Sequence, residues 1–137
     1  MSEYATRDDI LGAKEVRFCD FGPLPDDFPI PGLAGKKIRL KSMTAKENVA
    51  YEEFFVDAVT GKEDENRKKL YREKAIIDCV VDGDGSRMFT IDDIRKLSKV
   101  DGALLGAIYD RASKHNRFDE ADLVKKKPEP TPDFSSS

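Results

Sequence analysis

The run Val80-Val81-Asp82-Gly83-Asp84-Gly85-Ser86-Arg87-Met88-Phe89-Thr90-Ile91-Asp92-Asp93-Ile94 constrains this chain more than any other. Its two Asp-Gly pairs stop the preceding element, and its acids admit two incompatible readings. As an EF-hand loop it would offer calcium Asp82, Asp84, Ser86, the Met88 carbonyl, Thr90 and Asp93. The sixth position of such a loop turns sharply and wants glycine, and the twelfth wants a bidentate Glu. Arg87 and Asp93 stand there instead. As architecture the run has no such exceptions: a helix ends, an Asp-Gly turn follows, and Thr90-x-x-Asp93 caps the next helix as a variant capping box. Ile91, Ile94 and Leu97 then recur at helical spacing.

Composition narrows the function classes. The chain has 137 residues, enough for one domain that buries roughly two-thirds of its unfolded surface. We expect a single globular unit over 1–123, made of an N-terminal helix and hairpin (6–43) and a helical part (44–123), then a disordered charged and Pro-rich tail over 124–137. Net charge is −3 from 24 basic and 27 acidic residues, which gives no basic footprint for nucleic acid. No apolar run approaches the roughly 20 residues of a membrane span, and the N-terminus lacks a signal peptide's apolar core. The expectation is a cytoplasmic protein without cofactor. Cys19 and Cys79 have no CxxC partner and read as buried, reduced thiols. His115 is the single histidine and has no local Ser or Cys partner. No P-loop, GxSxG, HExxH or GxGxxG occurs, so the reading is not an enzyme.

Periodicity predicts an α+β fold, mostly α-helical, with a small N-terminal antiparallel β-hairpin packed on a bundle of about four to five helices. Thr6-Arg7-Asp8-Asp9 opens a short capped helix. Residues 15–20 pair with Lys37-Ile38-Arg39-Leu40-Lys41, across an irregular connection set by Pro23, Pro25, Pro29 and Pro31. Thr44-Ala45-Lys46-Glu47 is a full capping box for a helix closed by Gly61, with Tyr51, Phe54, Phe55 and Ala58 as its core stripe. Asp64 or Asn66 starts a helix to Val81 in which Leu70, Ile77, Val80 and Val81 share a face. Asp101 caps a last long helix carrying Leu104, Leu105, Ile108 and Ala112, with His115 serving its final carbonyls and Asn116 as C-cap. A last short turn spans 119–123. Two cationic faces are candidate partner surfaces: Lys37, Arg39 and Lys41 on the strand, and Arg67, Lys68 and Arg72 on the helix. A solvated face is the plainer reading of each.

The element order and the run D-x-D-G-x-R-x-F-T-x-x-D-I-x-x-L over 82–97 resemble the tail assembly chaperones of long-tailed bacteriophages and prophages. The resemblance spans roughly residues 6–123. A Pro-rich connection stands where related proteins commonly carry a Pro-Glu-Trp-Gly-like strand. The resemblance implies a non-catalytic protein of the host cytoplasm, absent from the mature virion. Such a protein binds and solubilises the tape-measure protein and helps recruit tail-tube subunits, often beside a longer frameshifted form and with self-association. The alternatives from other classes are a single EF-hand-like calcium module and a structural tail or head-completion protein.

Overall fold

The computed structural model describes residues 3–118 and 123. The expected turn at 119–123 and the 124–137 tail fall outside the described residues, apart from Leu123. In chain order the elements are α1 (Arg7–Leu11), β1 (Phe18–Phe21), β2 (Ile38–Lys41), α2 (Ala45–Glu53), α3 (Glu65–Lys68), α4 (Tyr71–Cys79), β3 (Val80–Val81), α5 (Ile94–Leu97) and α6 (Gly102–His115). Short 3-10 turns cover Pro31–Leu33 and Ile91–Asp93. The fold is α+β and mostly helical, as the periodicity predicts.

The sheet is antiparallel in the order β1-β2-β3. Its register places Cys19 opposite Leu40 and Leu40 opposite Val80. Successive strand side chains alternate between faces. Ile38 and Leu40 therefore face the core beneath α4 and α6, while Arg39 and Lys41 lie on the other face. Leu40 is wholly buried among Ile76, Cys79, Val80, Leu105, Ile108 and Ala112. Burying a Leu side chain of this kind contributes roughly 1.5–3 kcal/mol, which makes the central strand the floor of the core.

Three expectations need correction. The helix expected to run on through Val81 stops at Cys79, and Val80 adopts φ −78°, ψ 130°. Val80 and Val81 fit a helical spacing, but both are β-branched and an open edge of β2 lies beside them, so sheet pairing outweighs periodicity. The same helix is also interrupted between α3 and α4, around Leu70.

The helix expected to close at Gly61 ends at Glu53. Asp57 captures the chain beyond it, its carboxylate accepting from the Val59 and Thr60 amides at 2.8 and 3.0 Å. Gly61, at φ +70°, closes that turn rather than a helix. Of the aromatic stripe, Tyr51, Phe54 and Phe55 are consequently half-buried and Ala58 is exposed, so none is core. Tyr51 and Phe54 each meet Phe55 edge-on, at 5.0 and 5.2 Å, and Val49 is half exposed.

His115 does not serve its own helix: its Nε2 contacts the Arg17 carbonyl at 2.9 Å, and the Arg17 guanidinium donates to the His115 carbonyl at 3.0 Å. Asn116 is the C-cap and does more than cap. Its Nδ2 donates to the Ala112 carbonyl at 2.9 Å, while its Oδ1 accepts from the Met43 amide at 2.6 Å. One amide side chain thus ties the end of α6 to the chain leaving β2. Removing it strands a partly buried amide, which costs about 1–3 kcal/mol. Asn116→Ala should lower the urea-unfolding free energy by that amount, and an unchanged midpoint would contradict the assignment.

Candidate interaction surfaces

The acids of the 82–93 run are occupied by backbone. Asp82 Oδ1 accepts from the amides of Asp84 and Ser86 at 2.9 and 3.1 Å, and the Gly85 amide donates to the Asp82 carbonyl at 3.0 Å. The positive-φ residue is Gly85 (+86°), the fourth from Asp82, whereas an EF-hand turns at the sixth. A side chain at Gly85 would also meet the Phe18 ring, 3.2 Å from the position of its Cβ. Asp93 Oδ2 accepts from the Thr90 amide at 2.9 Å, completing the expected cap. Among the described residues, no group of three or more His, Cys, Asp or Glu side chains is placed to hold a metal ion.

Arg87, the residue at odds with a calcium loop, sits in a chain of five charges. Lys41 Nζ meets Glu47 Oε2 at 2.7 Å, and Arg87 reaches both Glu47 and Asp78 at 3.4 Å. Lys74 Nζ lies 2.8 Å from both Asp78 oxygens. Asp78 is almost wholly buried, so its charge depends on these partners. Burial pushes the Glu47 carboxyl up, but Lys41, the Thr44 amide and Arg87 together outweigh it and hold it down at about 2. Burial also pushes the Cys79 thiol up to about 11. Cys79 is a free buried thiol as expected; Cys19 is free and only half-buried.

The candidate cations do not form two open faces. Lys41 is buried in its pair with Glu47, which overturns a solvated role for it. Arg39 spans Asp20 at 3.5 Å, the Gly83 carbonyl at 3.0 Å and the Phe18 ring at 5.5 Å, so it clamps the 82–86 turn onto the sheet. On α3, Arg67 pairs with Asp64 at 3.8 Å and Lys68 with Glu63 at 2.8 Å. Arg72 lies over the Tyr71 ring. Lys37 is exposed and forms no ion pair with a described residue, and the same holds for its neighbour Lys36.

Beside those two lysines opens an apolar cleft of about 400 Å³, floored by Ile76, Val80, Leu105 and Ile108 and edged by Met88 and Val100. Val80, Leu105 and Ile108 were legible as stripe residues, but Ile76 and the opening were not. Met88 and Phe89, just beyond β3, form one wall of the cleft. The signal available in the sequence was Met88, an apolar residue outside every helical stripe.

No protein-family model matches the chain. No curated protein matches it either. Among solved structures, the bacteriophage HK97 tail assembly chaperone is similar, with 18% identity, a TM-score of 0.49, and coverage of 71% of this chain and 82% of that one. A likeness at that level transfers no activity.

Glu47 supplies a test of the charge chain. Its carboxyl is held below its ordinary value of 4.5, so its contribution is complete above pH 4.5 and is lost as pH falls towards 2. Glu47→Gln should cost about 1–3 kcal/mol at pH 7, with the gap to wild type closing between pH 4.5 and 2. Urea titrations across that range measure it, and a gap independent of pH would rule out the ionic role. A second expectation concerns Asp82, whose two accepted amides make it structural. Asp82→Ala should lower stability by about 1 kcal/mol in metal-free buffer, while millimolar calcium leaves the wild-type melting temperature unchanged. A calcium-dependent rise would restore the metal reading.

Proposed function

We propose that this chain is a tail assembly chaperone of a long-tailed phage or prophage. It acts in the host cytoplasm, binds the tape-measure protein, keeps it soluble, helps recruit tail-tube subunits, and is left out of the finished virion. The observation that carries this reading is the 82–97 segment. Six of the residues that make the sequence resemblance have a task in the fold. Asp82 ties the turn, Arg87 links Glu47 to Asp78, Phe89 packs on the core, Thr90 and Asp93 cap, and Leu97 is buried. A pattern that dense marks one particular way of joining α4 to α5, which periodicity alone does not specify.

A binding role also suits the surface. Apolar side chains that the core leaves uncovered are spread over the molecule, among them Val59, Ile91, Val100 and Met88. Short elements joined by turns suit a protein that meets its client and later releases it.

Co-expression with the tape-measure protein of the same phage tests the reading. The client should become soluble and co-purify with this chain; a client that stays insoluble and unbound defeats the proposal. Mass spectrometry of purified virions separates it from a structural tail or head-completion role. Recovery of this chain at stoichiometric level in the particle would favour the structural role.

A further inference from the structure

Resting on that client-binding reading, we propose that the cleft between β2, α4 and α6 is the client seat, and that its occupant is an amphipathic helical segment bearing acidic residues beside its apolar face. The cleft of about 400 Å³ lies within the roughly 300–1,000 Å³ typical of binding pockets. Its floor is apolar, and the side chains at its edge remain accessible: Met88 is 50% exposed and Val100 38%. Accessible apolar side chains around an apolar floor are the arrangement into which a helix lays anchors at i, i+3 or i+4 and i+7. Methionine at the edge adapts to anchors of different shape, which suits one site meeting successive stretches of a long chain.

Charge selects the partner. Most cations near the sheet and α4 already have acids: Lys41 has Glu47, Arg39 has Asp20, and Lys74 has Asp78. Lys36 and Lys37 line the cleft, are exposed, and pair with no described acid. An apolar helix with Glu or Asp on its flank meets both the floor and these two ammonium groups. A basic helix would meet like charge there and bind more weakly.

The test uses the full chain, isotopically labelled, and two synthetic 18-residue helical peptides with the same leucine face. One carries flanking glutamates and the other lysines in their place. The acidic peptide should shift the amide signals of Met88, Val100 and Lys37 and bind at least tenfold tighter than the basic one. Met88→Glu, Val100→Glu and the pair Lys36→Glu with Lys37→Glu alter exposed positions and leave the core intact. Each should weaken the acidic peptide at least tenfold, whereas Lys68→Glu with Arg72→Glu should not. Equal binding of both peptides, or shifts confined to other surfaces, overturns the proposal. So does a cleft whose signals move on deleting residues 124–137, or with protein concentration alone. Those outcomes name the chain's own tail or a second copy as the occupant. Co-purification with the tape-measure protein separates the two claims. Cleft variants that retain the client as well as wild type refute the seat and leave the chaperone reading standing. A wild-type chain that retains no client refutes the chaperone reading, and the peptide comparison still decides the seat.

Discussion

The fold depends on the chain of charges from Lys41 through Glu47, Arg87 and Asp78 to Lys74. These five side chains come from β2, α2, the segment after β3, and α4. Each of those elements is short and buries little surface alone. Taking charges out of water is costly, and such networks are often close to neutral in net stability against an apolar replacement. What the chain of charges does supply is position, since an error in any one element would take at least one partner from Asp78 or Glu47. Two hydrogen-bonding side chains complete the frame. Asn116 joins α6 to the exit of β2, and Arg39 holds the 82–86 turn against the sheet.

The elements legible in the sequence are those whose cause is local. The caps at Thr6, Thr44, Asp64, Thr90 and Asp101 all sit where their spacing to an acid or an amide places them. The alternation of Ile38 and Leu40 with Arg39 and Lys41 gave β2, and its pairing with β1 followed. The stripe of Leu104, Leu105, Ile108 and Ala112 gave α6 and its buried side.

What was not legible has its cause far away along the chain. Val80 and Val81 belong to a helical stripe until β2 offers them an edge. Lys41 reads as one cation of a solvated face until Glu47 and the core close over it. The cleft has the same origin: Val80, Leu105 and Ile108 read correctly as stripe residues, but Ile76 beside them and the segments that wall the opening, Lys36–Lys37 and Met88–Phe89, come together only in the fold. Arg87 was visible as a residue that does not suit a calcium turn. Its positive role, an ionic link between two distant acids, needed the third dimension.

Cys79 gives this architecture a natural gauge. The thiol lies at the meeting point of α4, the start of β3 and the Asn116 knot, 1% exposed, with its proton held more firmly than that of a free cysteine. An alkylating dye reaches it only when the packing of α2, α4 and α6 around it loosens, whereas half-buried Cys19 sits nearer the surface. The difference in labelling rate between the two sulfurs therefore counts openings of the core against ordinary breathing of the sheet edge, with no probe added to the protein.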